Sequence, residues 1–218
     1  MRVLAELWRS TVGRKVLAAV SGVLRSGWVA LHVAGHLTLF RGAAVADGYA
    51  ATLRAAPVAL WAVRLGLAVA VLVHVTAVAS LARAGLVARP RHDTRAPRRA
   101  SAVAARSMRV GGALLLAFIA YHVLHLTVGV SHPGFRPGHV YDNVVVGLRP
   151  TWVTAVYVGA AALLGLHLFH GLWAIAVSLG LRQDAAARRR RPAVAVLSAA
   201  ITLGFASVPL AVLAGWLR

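Results

Sequence analysis

The sequence predicts an all-α integral membrane protein, with five transmembrane helices in a bundle, the N-terminus in the cytoplasm and the C-terminus outside. Of its 218 residues 60% are hydrophobic, and the mean hydropathy is +0.75, far above that of a soluble domain. Five apolar runs each exceed the roughly 20 residues that a spanning helix needs. We expect a single transmembrane domain over residues 1–218, with helices over about 16–40, 58–86, 108–130, 152–181 and 193–217.

The distribution of basic residues predicts the topology. The net charge is +19, and most Arg and Lys residues lie in the N-terminal segment and in connections 87–107 and 182–192. The positive-inside rule places these regions in the cytoplasm, where they also attract anionic lipid. Docking of a cytoplasmic partner is an additional role for them. Nucleic acid is disfavoured as a partner because the basic residues are concentrated in every second connection between the spans, which the positive-inside rule explains.

The N-terminal segment, the connections and the fifth span each have an expected structure. Residues 1–15 form a short amphipathic segment at the cytoplasmic interface. The loop 41–57 follows the first span, and Pro90 and Pro97 end any helix in the connection after the second. The loop 132–150 is rich in Pro and Gly and therefore irregular, with His132 and His139 expected at the outer surface. The fifth span, without histidine, is expected to pack or to face lipid.

The chain has no cysteine, which excludes disulfides, iron–sulfur clusters and thiolate sites within it. Its chemistry instead lies in seven histidines on four of the five predicted spans. A histidine buried in hydrocarbon is costly and usually functional. The histidines are His32 and His36, His74, His122 and His125, and His167 and His170.

Interhelical hydrogen bonds, a zinc site and a proton relay each fit this histidine set less well than a pair of haems. A hydrogen bond to a neighbouring helix accounts for one such histidine better than for seven. A zinc site needs three or four ligands at one height, often with a carboxylate. A proton-relay transporter usually has acidic residues in its helices, whereas the five acids of this chain lie outside the spans or at their edges.

Depth in the membrane sorts four histidines into two pairs. At about 1.5 Å per residue, His32 lies roughly 24 Å along the first span and His122 roughly 21 Å along the third, both in the outer half. His74 lies roughly 14 Å from the cytoplasmic end of the second span, and His167 lies near the middle of the fourth, on the inner side. Two pairs at two heights suit two bis-histidine haems, whose six-coordinate iron favours electron transfer over oxygen chemistry.

The remaining histidines and one arginine are candidate site residues with open roles. His36, His125 and His170 lie one turn from the predicted ligands and could bind haem propionates or a quinone carbonyl, or act as interhelical donors. Arg25 lies roughly 14 Å into the first span. It pairs with a propionate of the inner haem or extends to the cytoplasmic surface.

The order of short motifs resembles the dihaem cytochrome b subunit, or membrane anchor, of succinate dehydrogenase and fumarate reductase, b558 type. The similarity covers about residues 10–181, with the fifth helix matching by count. No single motif is specific, but the ordered set is. The motifs are Ser10-Thr11-Val12-Gly13-Arg14-Lys15, His32-Val33-Ala34-Gly35-His36-Leu37, Tyr121-His122-Val123-Leu124-His125, Val140-Tyr141-Asp142-Asn143-Val144-Val145 and Leu166-His167-Leu168-Phe169-His170-Gly171-Leu172-Trp173.

The resemblance implies the same ligand pairs as the depth estimate. The family has one ligand histidine on each of its first four helices and pairs the first with the third and the second with the fourth. It often has Asn at the positions of His36 and His170, so a ligand shifted by one turn is an alternative, but His32 and His167 are preferred. The helix carboxylate that some relatives carry for proton passage is not expected, because Gly165 and Leu166 precede His167.

The resemblance also implies the function. A flavoprotein and an iron–sulfur protein would dock on the cytoplasmic face, and electrons from succinate would pass through two haems b to menaquinone, in the inner (plasma) membrane. The quinone site is expected near the outer haem, within reach of His36, His125 and Trp28. The alternatives are a stand-alone dihaem cytochrome b and a haem-free membrane scaffold.

Overall fold

The computed structural model describes the backbone of residues 2–87, 99–178 and 187–218. Within these ranges the chain consists of helices, turns and short loops and contains no strand. The helical segments in chain order are α1 (Arg2–Arg9), α2 (Thr11–His36), a 3-10 segment (Leu37–Arg41), α3 (Ala43–Arg54), α4 (Pro57–Val87), α5 (Arg99–Val123), a π-helical turn (Leu124–Val128), α6 (Val140–Leu148), α7 (Thr151–Ser178) and α8 (Ala187–Leu213).

Five helical segments in the described ranges are long and apolar enough to cross a membrane, which confirms the predicted all-α class with five spanning helices. Much of the two predicted basic connections, with Pro90 and Pro97, and the end of the fourth predicted run lie outside the described residues. The spanning segments are Thr11–Arg41, Pro57–Gly85, Arg106–Val128, Thr151–Ala176 and Arg190–Leu213.

The N-terminal segment is a separate helix that ends just before the first span. Ser10 interrupts the helix between α1 and α2, and its Oγ accepts a hydrogen bond of 2.8 Å from the Gly13 amide. This contact satisfies an amide in the first turn of α2, where no intrahelical carbonyl is available. The first span therefore begins at Thr11 rather than near Val16.

Two predicted loops contain helices that were not predicted from the sequence. The loop 41–57 contains α3, and the loop 132–150 contains α6. Asp47 of α3 connects the two, because its Oδ1 accepts a hydrogen bond of 2.9 Å from the Tyr141 amide in the first turn of α6. Such a carboxylate stabilises a helix start by satisfying a free amide and by opposing the helix dipole.

The chain divides into two compact units. The first comprises residues 1–28 and 58–103, and the second comprises residues 29–57 and 104–218. In the second unit, the 3-10 segment, α3 and α6 pack with α7 and α8 around a buried apolar cluster. This cluster contains Leu39, Ala46, Val144, Val145, Leu148, Val153, Tyr157, Val208, Ala211, Val212 and Leu217.

Helices α7 and α8 approach closely because small residues line their contact. A methyl group added at Gly165 would collide with the Thr202 side chain, and Ser198 is buried nearby. Close approach through small residues is typical of helix pairs in membranes, where packing rather than water exclusion drives association. On other faces α8 exposes large apolar side chains such as Val196 and Leu203. It therefore both packs and presents an apolar outer surface, in agreement with the expectation for the fifth span.

Candidate functional site

The predicted outer pair of histidines meets in the second unit. His32 of α2 and His122 of α5 have ring centroids 5.9 Å apart, with their planes at 73°. Two imidazoles that bind one metal ion at about 2 Å per nitrogen have centroids about 6 Å apart. Phe205 of α8 lies 5.6 Å from the His32 ring and forms part of the apolar surroundings. This separation matches that of two ligands on one iron and also lies within the ordinary range of a contact between two rings.

Tyr157 of α7 orients the His122 ring. Its hydroxyl lies 3.4 Å from His122 Nδ1 and 2.9 Å from His125 Nδ1. A phenol donates one hydrogen and can accept another, so one consistent arrangement runs from His122 Nδ1–H to the Tyr157 oxygen and from the Tyr157 hydrogen to His125 Nδ1. In that arrangement His122 Nε2 carries a lone pair, which is the form that binds a metal.

His125 lies within the protein rather than opposite His32. It is 1% exposed, and its Nδ1 forms a hydrogen bond with the Tyr157 hydroxyl. Its ring stacks on Tyr121 at 5.2 Å with an interplanar angle of 13°, and it lies 5.2 Å from His132. Its neighbours are therefore protein side chains, and its predicted role toward propionate or quinone stays a prediction.

The loop 132–150 holds His132 inside the protein, so the expectation that this residue is exposed is wrong. His132 is buried, and its Nε2–H donates to the Asn143 carbonyl at 2.7 Å. The Asn143 side chain in turn binds both the amide and the carbonyl of Arg136. These hydrogen bonds within the loop stabilise its fold. His139, in the same loop, is exposed as expected.

A π-helical turn carries His125 at the end of the third span. The Gly129 amide donates to the Leu124 carbonyl at 3.0 Å and closes this wider turn. Gly129 has a φ of 88°, and a side chain there would collide with the Phe135 ring. Only glycine satisfies both conditions. Such turns occur frequently at functional sites.

His36 lies one turn beyond His32 on the same face of α2, as the spacing predicts. The two ring centroids are 6.4 Å apart, and His36 lies 5.6 Å from Phe205. His36 Nε2 is buried and has no hydrogen-bond partner among the described residues. Because the ring close to His122 is that of His32, the geometry favours His32 over a ligand shifted by one turn.

His74 has a defined ring orientation in the first unit. Its Nδ1 lies 3.0 Å from the Ala18 carbonyl and 3.3 Å from Ser21 Oγ. A carbonyl only accepts, so Nδ1 carries the hydrogen and Nε2 carries the lone pair. Ser21 also has its carbonyl bound by Arg25 Nε at 3.2 Å, so the half-buried Arg25 contacts its own helix one turn back.

His167 and His170 lie on α7 in the second unit and are both half-buried. The His167 ring packs against Gly112 of α5, where an added Cβ would lie 3.4 Å from its Cε1. The His170 ring lies 5.4 Å from that of Phe169. The expected pairing of His167 with His74 joins residues of different units and stays a prediction, as does the contribution of Trp28, in the first unit, to a quinone site.

Tyr157, which connects two of the predicted site histidines, was not predicted as a site residue. It lies in an uncharged apolar helix, where its hydroxyl needs a hydrogen-bond partner. The need for such a partner could be read from the sequence. The sequence does not give the rotation of α7 about its axis, which decides which residues the Tyr157 hydroxyl contacts.

The described part of the chain contains no group of three or more His, Cys, Asp or Glu side chains placed to hold a metal ion. A bis-histidine site requires only two. Comparisons with protein-family models, with curated proteins and with solved structures give no significant match. The functional assignment therefore depends on the sequence pattern and on the geometry of these side chains.

Proposed function

We propose that this protein is the membrane-anchor and electron-transfer subunit of succinate:quinone oxidoreductase and that it binds two haems b. The observation that carries the proposal is the approach of His32 and His122, from the first and third spans, with ring centroids 5.9 Å apart. Their sequence depths pair them independently, and the motif resemblance pairs them in the same way.

The orientation of two ligand candidates supports the proposal. His122 and His74 each have Nδ1 next to an oxygen of the chain, Tyr157 in one case and Ala18 in the other. Histidines that bind metals almost always donate their second ring N–H to such an acceptor, which fixes the tautomer and raises the basicity of the ligand.

The chain's own residues would position ligands and exclude water. The apolar spans surround the histidines with a dry medium, in which charge transfer requires little solvent reorganisation. When bound, the haems would supply one-electron transfer between an iron–sulfur partner and menaquinone. We propose that the flavoprotein and iron–sulfur subunits dock on the cytoplasmic face, with the N-terminus on that side and the C-terminus outside, in the inner (plasma) membrane.

A pyridine haemochrome assay on the affinity-purified chain tests the proposal. We expect two haems b per chain and co-purification of two soluble subunits, one with flavin and one with iron–sulfur clusters. Absence of reduced b-type bands would refute both haem-based functions. Two haems without soluble subunits would instead identify a stand-alone dihaem cytochrome b.

A further inference from the structure

A cleft in the first unit lies at one end of the first two spans and outside the histidine sites. It is formed by α1, the start of α2 and the end of α4. Arg14 and Arg83 provide its charges, Trp8 provides an aromatic ring, and Thr76 and Ser80 provide hydroxyls. Alanines 79 and 84 line the rest. The cleft therefore combines two cations with an apolar wall.

Among the described residues, the groups that hydrogen-bond Arg14 in the cleft are all neutral. Its Nη1 donates to Ser80 Oγ at 2.5 Å, its Nη2 to Thr11 Oγ1 at 3.5 Å, and its Nε to the Ser10 carbonyl at 3.4 Å. None of these acceptors carries a charge. The guanidinium is positioned but not neutralised, and Ser80 keeps its own hydroxyl hydrogen for another acceptor.

Arg83 brings a second charge that the described chain leaves uncompensated. It is exposed and makes no ion pair or hydrogen bond with the described residues. The ion pair found in the described part of the chain, Arg136–Asp142, belongs to the other unit. Two like charges in one cleft repel each other unless an anion lies between them.

The position of the cleft indicates what kind of anion it meets. Arg14 lies in the first turns of the span Thr11–Arg41, and Arg83 lies in the last turn of the span Pro57–Gly85. This is the depth at which phospholipid phosphates lie and at which Trp rings such as that of Trp8 are enriched. The alanine wall faces the same cleft and offers a surface to an acyl chain.

We propose that this cleft is a binding site for the phosphate of an anionic phospholipid. Arg14 and Arg83 bind the phosphate oxygens, Ser80 donates its hydroxyl, and Trp8 covers the glycerol region. Arginine suits this role because its planar donors match phosphate geometry. A lipid held there would also anchor α1 along the membrane surface. The site is independent of any haem, so its test does not depend on the proposed function.

The test uses the full chain in lipid nanodiscs of neutral phosphatidylcholine, into which phosphatidylglycerol is titrated. Thermal unfolding and the number of phosphatidylglycerol molecules retained per chain are the readouts, because a ligand of the folded state raises the unfolding midpoint. We expect the double change Arg14→Gln and Arg83→Gln to weaken phosphatidylglycerol binding at least tenfold. The matched control is Arg41→Gln with Arg149→Gln, two exposed arginines that remove the same charge elsewhere.

Three results would overturn the proposal. The double variant could bind phosphatidylglycerol as tightly as the wild type does. Alternatively, the control variant could lose as much affinity for phosphatidylglycerol as the double variant, which would indicate general electrostatic attraction rather than a site. Inorganic phosphate in neutral nanodiscs could raise the midpoint as much as phosphatidylglycerol, which would make the free anion the ligand. If the double variant does not fold, the single variant Arg83→Gln is measured instead, because this side chain makes no hydrogen bond within the described chain. We expect the affinity of this single variant for phosphatidylglycerol also to fall.

Discussion

Replacing Tyr157 with Phe removes a hydroxyl that contacts nitrogens of two histidines, His125 at 2.9 Å and His122 at 3.4 Å. The closer contact is with His125 Nδ1, on a residue that is 1% exposed. Leaving a buried polar group without its hydrogen-bond partner costs about 1–3 kcal/mol. We therefore expect the free energy of unfolding to fall by about that amount, measured by denaturant or thermal unfolding in detergent.

The same change tests the proposed haem ligand. Loss of the Tyr157 oxygen makes the His122 imidazole a weaker electron donor, which favours ferrous over ferric iron and raises the midpoint potential of one haem. A tenfold change in this preference corresponds to about 59 mV for one electron. Because the contact with His122 is long, we expect a rise of at most about 59 mV in an optical redox titration.

Tyr121→Phe is the matched control. The Tyr121 hydroxyl is buried without a hydrogen-bond partner among the described residues, so its removal breaks no hydrogen bond. We expect neither destabilisation nor a shift in potential. The reasoning would be refuted if Tyr157→Phe left both stability and potentials unchanged, or if Tyr121→Phe changed them equally.

Two further predictions concern packing around α6 in the second unit. Gly147→Ala should lower the free energy of unfolding by about 1–3 kcal/mol, because the new Cβ would lie 2.7 Å from His132 Nε2 in a buried site. The control Gly159→Ala should have no such cost, because nothing lies within 4 Å of the added Cβ there. Equal unfolding midpoints for the two variants would contradict this packing argument. Asp47→Ala should lower the free energy of unfolding by about 0.5–2 kcal/mol, because the Tyr141 amide loses its acceptor. Asp47→Asn should retain most of the wild-type stability. Indistinguishable unfolding curves for the wild type and both variants would rule out this contact as a source of stability.

The spans were predictable from sequence because a membrane-crossing helix needs only length and hydrophobicity, and both are local properties. The helices α3 and α6 were not predictable, because their sequences are short and flanked by Gly and Pro. Helix α6 is buried against α7 and α8, α3 packs against α6 and the 3-10 segment, and the contact from Asp47 to Tyr141 joins the two helices. Tertiary packing here outweighs the local loop signal.

The candidate site was predictable in part for a similar reason. Helical rise gives depth, so the sequence was sufficient to propose that His32 and His122 meet. Depth does not give rotation about the helix axis, which is why the contacts of Tyr157 with two histidines were missed. Burial of His132 depends on a loop that folds through Asn143, a contact with no periodic signal in the sequence.

The most direct test measures reduced-minus-oxidised spectra and haem content for four single alanine variants of the predicted ligands. The account predicts that His32→Ala and His122→Ala remove the same haem and that His74→Ala and His167→Ala remove the other. His139→Ala, at an exposed position, should retain both. If the His32 and His122 variants lost different spectral components, or if both kept two haems, the iron site inferred from the approach of the two rings would be contradicted.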